Sequence, residues 1–373
     1  MIKAFKYRLY PNTAQVRELE IMLETHRRLY NECLAQRKER YETAQESVKY
    51  TQQSAWFKSA RGANDWYARL NFSSAQATMR RLDKAFQAFF RRIKTGDKPG
   101  YPRFKARGRF DSWTYPAHGD GARLLDGKLR LQHIGVVRVR QHRPAQGTIK
   151  TVQIKIEAGK WFVIASCEIG DAPPPRTEDT AVGIDVGLEH FLSTDQGEQV
   201  DNPRYQKEAL RRLRVVGRAV SRKKKGSRNR GKAVSKLRSI HARVSNKRRD
   251  HHHKVARDFV SRYAFIAAES LTVKNMVRNR RLSRSISDAG WSQFLNILRA
   301  KAESAGSVFV EVPPQGTSQA CSGCGAVVRK ALSVRQHRCP ECGLSLQRDV
   351  NAARNILARG QARMEPVWLN VAH

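Results

Sequence analysis

Two tight cysteine pairs in the last quarter of the 373-residue chain are spaced as the ligands of a metal ion. Cys321 and Cys324 form one Cys-x-x-Cys motif, and Cys339 and Cys342 form another after fourteen intervening residues. Each motif places two thiolates on one turn, and two such motifs supply the four ligands of a tetrahedral zinc ion. Because four thiolates leave no open coordination position, we expect this zinc to be structural rather than catalytic.

Other uses of paired cysteines fit the chain less well. Six cysteines in a chain of this length do not make a disulfide scaffold, and a redox dithiol needs only one Cys-x-x-Cys motif. Cys33 falls on a predicted helix face and Cys167 in a predicted strand, where both fit an ordinary core. The pairs therefore indicate metal binding in a reducing compartment.

Three carboxylates suggest a second kind of metal chemistry. Asp185 lies within Gly183-Ile184-Asp185-Val186-Gly187-Leu188, an apolar run that predicts a buried strand. Burying an isolated carboxylate costs several kcal/mol unless it is paired or bound to a metal. Glu269 ends the predicted strand 264–269, and Asp349 begins the last predicted helix, 349–358. Taken alone, Glu269 could be a surface strand end and Asp349 a helix N-terminal charge.

Together the three carboxylates fit the chemistry of phosphodiester hydrolysis. That reaction needs an activated water and a stabilised leaving oxygen, and two hard cations about 4 Å apart supply both. Magnesium prefers carboxylate oxygens to histidine or cysteine ligands. An Asp in a first strand, a Glu ending a later strand and an Asp opening a last helix fit the ribonuclease H topology. We therefore predict that Asp185, Glu269 and Asp349 hold catalytic Mg²⁺, with two ions expected.

The charge of the chain points to a long polyanionic partner. The formal net charge is +38 and the isoelectric point is near 10.7, which exceeds what solubility requires. Between Lys207 and Arg257 there are 20 Lys or Arg residues and two acidic ones. Such a run can be a solvated helix face, but it would repel itself without an anion alongside, so we favour a nucleic-acid groove. A break in this stretch carries Arg222, Lys223, Lys224 and Lys225.

The sequence gives no sign of secretion or of membrane insertion. The N-terminus, Met1-Ile2-Lys3-Ala4-Phe5-Lys6, is charged too early for a signal peptide. We find no run of about 18 apolar residues that could span a bilayer. We therefore expect a cytoplasmic protein that has no membrane partner.

The first half of the chain predicts helices and a small β module. Residues 1–10 alternate apolar and basic side chains up to Pro11, which predicts a short edge strand. Asn12 and Gln15 have the spacing of a capping box that opens a helix to about residue 40. β signals between residues 95 and 172, including an Asp126-Gly127 turn, predict an antiparallel sheet or barrel that strand 1–10 joins. A Pro-rich linker, 173–175, closes this module.

A second helix, from about Ser73 to Ile93, has an apolar face that we interpret as packing surface. Its basic flanks are candidates for phosphate contacts, and Gln76 is a candidate for a base contact. The side chains involved are Met79, Leu82, Phe86, Phe89 and Phe90 on the apolar face, and Arg80, Arg81 and Lys84 among the flanking cations. In the basic stretch, residues 251–253 are consecutive histidines. On a helix they point about 100° apart and cannot converge on one ion.

These features together resemble the TnpB family, whose members are insertion-sequence relatives of type V CRISPR effector nucleases. The matching pieces extend over almost the whole chain. They are Tyr7-Arg8-Leu9-Tyr10-Pro11, Tyr101-Pro102-Arg103-Phe104-Lys105, Gly183-Ile184-Asp185-Val186-Gly187, Thr317-Ser318-Gln319 before Cys321, Arg348-Asp349-Val350-Asn351-Ala352-Ala353, and Asn355-Ile356.

The resemblance implies an RNA-guided endonuclease that cuts double-stranded DNA beside a short adjacent motif. Its fold would be a multidomain α/β protein with a RuvC-like, ribonuclease H-like nuclease domain and a zinc-ribbon insertion, a helical recognition lobe and a small antiparallel β wedge domain. The wedge would be residues 1–10 and 95–172, the recognition domain 11–94, and the nuclease domain 173–373 with its ribbon at 317–346. The partners would be a guide RNA from the mobile element and the target DNA, bound by a chain expected to be monomeric. Arg103 and Lys105 in the Tyr101 motif join the candidate nucleic-acid contacts.

Three other functions remain open at this point. The chain could be a guide-dependent DNA-binding repressor without cleavage, although such a protein would be expected to lose acidic residues that this chain retains. An acidic triad could also serve a transposase that joins strands directly. The plainest alternative is a zinc-ribbon RNA-binding protein for which Mg²⁺ is irrelevant.

Overall fold

The computed structural model describes residues 1–331 and 334–368. The chain divides into two compact units, with the boundary in the sequence between Asp171 and Ala172. We call Met1–Asp171 the N-terminal unit and the rest the C-terminal unit. Leu332, Ser333 and residues 369–373 lie outside the described residues, so the predicted ribbon 317–346 and nuclease domain 173–373 are described without them. None of the helices in the described part of the chain is long and apolar enough to cross a membrane.

The N-terminal unit contains a seven-stranded sheet in which every neighbouring pair is antiparallel. The strand order is β2-β6-β7-β1-β5-β4-β3. The strands are β1 (Ile2–Tyr10), β2 (Ser112–Tyr115), β3 (Ala122–Leu125), β4 (Lys128–Leu131), β5 (Gly135–Arg140), β6 (Thr148–Glu157) and β7 (Lys160–Glu168). The prediction that residues 1–10 join a small antiparallel sheet is confirmed, and so is the turn between β3 and β4.

The prediction that residues 1–10 form an edge strand is wrong. β1 pairs with β7 on one side and with β5 on the other. The alternation of buried Phe5, Tyr7 and Leu9 with more exposed residues shows that one face is covered. It does not show how many neighbours the strand has, because both partners come from residues more than a hundred positions later in the chain.

Four helices cover the buried face of this sheet or extend from it: α1 (Thr13–Ala44), α2 (Tyr50–Ala63), α3 (Asp65–Ala68) and α4 (Phe72–Lys94). The capping box of Asn12 and Gln15 is confirmed at the start of α1. The cap of α4 is Asn71, whose side chain accepts the N–H of Ser74, and not a serine. The sequence did not predict α2, because only Gln53 and Phe57 of its fourteen residues are buried and no apolar stripe marks it.

The apolar face of α4 packs as predicted only in its first part. Met79, Leu82 and Phe86 are buried, but Phe90 is 53% exposed. The expectation that the whole aromatic stripe is packing surface is therefore wrong at its C-terminal end. Helical periodicity fixes the side on which a residue lies, but it does not show where the covering layer stops.

The C-terminal unit is built on a five-stranded mixed sheet in the order β10-β9-β8-β11-β12. β8, β11 and β12 are parallel, whereas β9 and β10 are antiparallel to their neighbours. The strands are β8 (Ala181–Val186), β9 (His190–Thr194), β10 (Gln199–Asp201), β11 (Phe265–Glu269) and β12 (Val308–Val312). This order, with the helix between β11 and β12, has the ribonuclease H-like topology that the three carboxylates predicted.

Helices pack on this sheet and extend from it. They are α5 (Tyr205–Ser221), α6 (Arg228–Arg262), α7 (Val273–Met276), α8 (Ser283–Ala289), α9 (Trp291–Ala305) and α10 (Arg348–Trp368). The predicted break in the basic stretch separates α5 from α6. The buried carboxylate of Asp288 anchors this helix pair, because it accepts the N–H groups of Gln206 and Lys207 at the start of α5 and pairs with Arg248 at 3.3 Å.

Helix α10 lies directly on the centre of the sheet. A Cβ atom added at Gly183 in β8 would come within 2.1 Å of the carbonyl oxygen of Ala353. A second close approach joins Gly360 to Ala267 in β11, where a Cβ atom would lie 2.7 Å from the alanine Cβ. Neither position has room for a side chain, which fixes the depth at which α10 sits.

We expect the Gly183→Ala substitution to destabilise the protein by about 1–3 kcal/mol, the usual cost of overpacking. For a unit of about 200 residues this corresponds to a fall in melting temperature of roughly 2–4 °C for each kcal/mol. Gly217→Ala is the matched control, because Gly217 lies in α5 with open space around its Cβ position and alanine favours helix. Equal melting temperatures for the two variants would contradict close packing of α10 on β8.

Candidate functional site

The fold brings the three predicted catalytic carboxylates to one part of the C-terminal sheet. Asp185 lies in β8, and Glu269 ends the adjacent parallel strand β11. Because Ala268 pairs with Ile184, Glu269 and Asp185 are the next residues on neighbouring strands. Asp349 lies in the first turn of α10, the helix that packs on β8. Three segments that are distant in sequence therefore meet at the carboxyl ends of two central strands.

These carboxylates repel one another. Burial raises the pKa of Asp185 well above its ordinary value, the charges of Glu269 and then of Asp349 raise it further, and the charge of Arg348 acts in the opposite direction. Burial also raises the pKa of Glu269, although the Thr317 hydroxyl, which donates to it, and Arg359 act in the opposite direction. Within the part of the chain that the structure describes, no hydrogen-bond donor or cationic side chain contacts the Asp185 carboxylate.

Asp349 differs because cationic side chains compensate it. Its Oδ1 lies 3.0 Å from Nη2 of Arg348, and its Oδ2 lies 3.8 Å from Nη1 of Arg335. Arg335 also pairs with Glu189 at 3.0 Å. The compensation of the site is therefore uneven, since it falls on Asp349 and leaves Asp185 without a contact.

The donor set of the three carboxylates fits a hard divalent cation. Carboxylate oxygens are the protein ligands that Mg²⁺ prefers, and such an ion stabilises a carboxylate that lies beside two others and has no cation in contact. The carboxylates are not a compact ligand cage as they stand. Among the described residues, the group of histidine, cysteine or acidic side chains whose ligand atoms all lie within 4.8 Å of one another is the four-cysteine cluster.

The four cysteines form a cluster that fits a zinc ribbon. The Sγ atoms of Cys321 and Cys342 lie 3.6 Å apart, as do those of Cys324 and Cys339. Tetrahedral zinc with Zn–S bonds of about 2.3 Å places its sulfurs about 3.8 Å apart, which agrees with this spacing. The backbone N–H of Gly323 donates to the Sγ atom of Cys321 at 3.4 Å. The short strands β13 (Gln336–Arg338) and β14 (Ser345–Gln347) pair within the ribbon.

Two asparagines of α10, to which the sequence analysis assigned no role, attach the ribbon to the rest of the C-terminal unit. Asn351 donates to the carbonyl oxygen of Ala320 at 2.7 Å and accepts the N–H of Ser322 at 2.9 Å. Asn355 donates to the carbonyl oxygen of Thr317 at 2.8 Å, and the Thr317 hydroxyl donates to Glu269. The feature of the sequence that could have predicted this contact is the four-residue spacing of the two asparagines, which places both on one helix face.

The nucleic-acid candidates on α4 have different surroundings. Gln76 donates to the Ser54 hydroxyl at 3.1 Å, and the Arg80 guanidinium lies 5.1 Å from the Tyr50 ring centre. Arg81 donates to a backbone carbonyl of β2 at 3.0 Å, so one donor of its guanidinium is already used in a contact with the sheet. Lys84 is exposed.

The remaining candidates lie on exposed segments. Arg103 is exposed in the N-terminal unit, and the Lys105 ammonium lies 5.5 Å from the Tyr30 ring centre. In the C-terminal unit, residues 222–225 are exposed between α5 and α6. A groove of about 380 Å³ runs between these two helices, and its basic lining residues are Arg212, Lys236, Arg243 and Lys247.

The consecutive histidines lie on α6. His252 is buried, stacks on Phe191 with ring centres 5.2 Å apart, and contacts the carbonyl oxygen of Ala289 through Nε2 at 2.9 Å. This histidine is therefore a core residue.

Three family models match successive parts of the chain. A helix-turn-helix domain of the OrfB, IS605 type matches residues 1–46, and the main OrfB, IS605 model, described as "Probable transposase", matches residues 164–280. A Cas12f1-like TNB domain matches residues 291–356, which contain the four cysteines. Two solved structures share the fold. A Cas12f1 chain from an sgRNA–target DNA complex has a TM-score of 0.60 at 13% identity, over 95% of this chain and 98% of that one. A Cas-phi3 RNA-guided endonuclease has a TM-score of 0.56 at 9% identity, over 96% and 92%.

Fold and site thus define a RuvC-like nuclease architecture with a zinc-ribbon insertion. A Streptomyces pristinaespiralis protein named "Putative RNA-guided DNA endonuclease" is 36% identical over 372 residues, which span 96% of this chain and 90% of the relative. The InsQ protein of Escherichia coli K12, which carries the same description, is 31% identical over 97% of this chain and 93% of its own length. The chain belongs to the TnpB family.

We expect Cys339→Ser to lower the zinc content of the purified protein and its melting temperature together. One of four thiolates is lost, and binding energy at a structural zinc site is folding energy. Zinc is measured by elemental analysis and stability by thermal unfolding. The control is Cys167→Ala, which lies in β7 outside the cluster and should keep full zinc content even if it destabilises the core. Stoichiometric zinc in the Cys339 variant would contradict the proposed ligand set.

We expect Asp185→Asn to stabilise the metal-free protein near neutral pH. The pKa values of Asp185 and Glu269 are higher in the folded than in the unfolded chain. The folded state therefore binds more protons from about pH 4 upward, and its free energy of unfolding falls as pH rises through that window. The amide removes part of this penalty, so thermal unfolding should show a higher melting temperature and a flatter pH dependence.

The control for this pH series is Asp258→Asn, because Asp258 is an exposed carboxylate paired with Arg262 at 2.6 Å. That substitution removes a surface ion pair and should change stability by less than about 1 kcal/mol, without stabilising. Added Mg²⁺ should raise the melting temperature of the wild-type chain more than that of Asp185→Asn. A less stable Asp185→Asn protein at pH 7 would show that the carboxylate is compensated.

Proposed function

We propose that this protein is an RNA-guided endonuclease that cuts double-stranded DNA next to a short adjacent motif by Mg²⁺-dependent hydrolysis. The observation that carries the proposal is the half-buried carboxylate of Asp185, which lies beside Glu269 and Asp349 and which no donor or cation of the described residues contacts. A structural role would favour compensation of such a group, whereas a metal-dependent nuclease needs it free. Membership of the TnpB family and the names of its relatives support the RNA-guided part.

Each carboxylate has a separate task in this proposal. Asp185 occupies the central position between the other two, and Thr317 orients Glu269 through its hydroxyl. Asp349 is set at the start of α10, with Arg348 and Arg335 beside it as cations that could meet a phosphate. When bound, two divalent ions would supply a water of lowered pKa and stabilise the leaving oxygen. The four cysteines would hold structural zinc.

The partners proposed for the protein are a guide RNA derived from a mobile element and the target duplex. A net charge of +38 suits a partner with many phosphates. Base pairing would read the target while the protein holds backbones, as in other RNA-guided nucleases. We propose the α5–α6 groove, with residues 222–225 beside it, and the exposed cations of α4 as backbone contacts. We further propose that the chain acts as a monomer, with domains as the sequence predicts.

A second candidate is a transposase that joins strands, because the matching OrfB, IS605 model is described in that way. An acidic triad can serve either reaction, so the products must decide. Hydrolysis leaves double-strand breaks, whereas strand transfer leaves joined ends. A guide-dependent repressor would bind the same DNA and leave it intact.

We expect the RNA that co-purifies with the chain to direct cleavage of a plasmid carrying the matching target, and we expect Asp185→Ala to lose about 10³-fold or more of that activity. Metal-bound transition states lose several kcal/mol when a ligand carboxylate is removed, and each 1.36 kcal/mol is tenfold. The matched control is Asp201→Ala, whose side chain is fully exposed and should leave cleavage unchanged.

Sequencing the bound RNA identifies the guide, and a plasmid library randomised beside the target identifies the adjacent motif. RNA binding is measured for every variant, so that a lost reaction is not confused with a lost guide. Full cleavage by an Asp185→Ala protein that still binds its RNA would contradict the assignment of Asp185 as a catalytic residue. Joined ends would favour the transposase, and tight binding without any cut in the wild-type chain would favour the repressor.

A further inference from the structure

The aromatic stripe of α4 leaves the hydrophobic core before the helix ends. Phe86 is 9% exposed, but Phe90 is 53% exposed and Ile93 is 51% exposed. Tyr101, seven residues after the helix, is 44% exposed. Large apolar side chains in one place, half open to solvent, mark an interaction surface more often than a structural one.

The rings of this surface are held against one another. Phe89 contacts Phe90 and Tyr101 with ring centres 5.2 and 5.3 Å apart, and Tyr101 contacts Phe86 at 5.5 Å. We call Phe89, Phe90, Ile93 and Tyr101 the aromatic patch. Because the rings support each other and Phe86 connects them to the core, the patch presents ring surface without having to order flexible side chains first.

Cations frame the aromatic patch. Residues 89–101 contain four Lys or Arg and one acidic residue, Asp97, which accepts a hydrogen bond from Thr95 at 3.0 Å. All four cations are exposed, and in the described part of the chain none of them is paired with a carboxylate. They are Arg91, Arg92, Lys94 and Lys98. The segment therefore has a net charge of +3, four cations less one carboxylate.

We propose that the aromatic patch is a stacking site for unpaired bases of a nucleic-acid strand, whose phosphates lie against the surrounding cations. Ring surface combined with unpaired cations is the combination that single-strand binding uses, since every base has a π-face and every nucleotide a phosphate. A second copy of this chain is a poorer occupant, because two patches of net charge +3 repel each other.

This inference rests on the proposed function, which supplies two sources of unpaired bases. One is an unpaired segment of the guide RNA, and the other is a single strand of the opened DNA target. Both offer the same chemistry to the patch, so the experiment carries an RNA arm and a DNA arm.

The test uses the full chain with Asp185→Ala, which removes cleavage, and short single strands of RNA or DNA that contain 5-iodouracil. After irradiation, crosslinked peptides are identified by mass spectrometry. We expect crosslinks on Phe90 or Tyr101 in the wild-type patch. The double substitution Phe90→Leu, Tyr101→Leu keeps apolar volume but removes both rings, and it should lower the patch crosslink about tenfold for each stacked base.

The matched control is Phe90→Tyr, Tyr101→Phe, which keeps both rings and should keep the crosslink. Circular dichroism checks that both variants are folded, and Phe90 and Tyr101 are exposed enough for the leucines to be tolerated. Whichever strand, RNA or DNA, gives the higher crosslink yield is assigned as the one that the patch binds. Either result supports the proposal that the patch stacks bases.

Two results would overturn the proposal. One is an unchanged patch crosslink in the double leucine variant. The other is a wild-type protein that is dimeric by light scattering while the double leucine variant is monomeric. Cleavage is assayed separately with the protein that retains Asp185. If that protein binds single strands at the aromatic patch but does not cut DNA, the proposed nuclease activity is refuted and the stacking site is not.

Discussion

The packing of α10 on the centre of the C-terminal sheet is the contact on which the rest of the site depends. Without a side chain at Gly183, the carbonyl of Ala353 reaches the strand directly. That depth sets Asp349, one turn earlier, beside the carboxylates of β8 and β11. The same helix presents Asn351 and Asn355 to the ribbon. A bulkier residue in β8 would move both the third carboxylate and the support of the zinc ribbon.

Close approach of three carboxylates has an electrostatic cost that the fold offsets only in part. Arg348 and Arg335 compensate Asp349, and Thr317 donates to Glu269, but Asp185 receives no contact from the described residues. The charge of Arg348 acts on Asp185, but the surroundings as a whole still disfavour the ionised carboxylate, and such a cost in stability is expected at functional sites. The excess of basic residues elsewhere does not relieve it, because exposed cations are screened by solvent over about 10 Å.

Local patterns in the sequence were enough to predict several parts of this structure. Cysteine spacing predicted the ribbon cluster, and the spacing of Asn12 and Gln15 predicted the capping box that opens α1. The features that the sequence did not predict depend on contacts between residues that are distant along the chain. The central position of β1 depends on pairing with β5 and β7, and the exposure of Phe90 depends on where the covering layer ends. The hydroxyl of Thr317 gains its role only because α10 brings the ribbon entry next to β11, which no spacing along the chain can show.

Hydrogen bonds connect the four-cysteine cluster with the candidate carboxylate site in the C-terminal unit. Asn355 holds the backbone of Thr317, whose hydroxyl in turn orients Glu269, and Asn351 holds the residues on either side of Cys321. A ribbon whose entry is fixed by α10 therefore also fixes one carboxylate of the candidate active site. Folding of the ribbon around its four thiolates then limits the freedom of Thr317, so the cysteine cluster also constrains the position of Glu269.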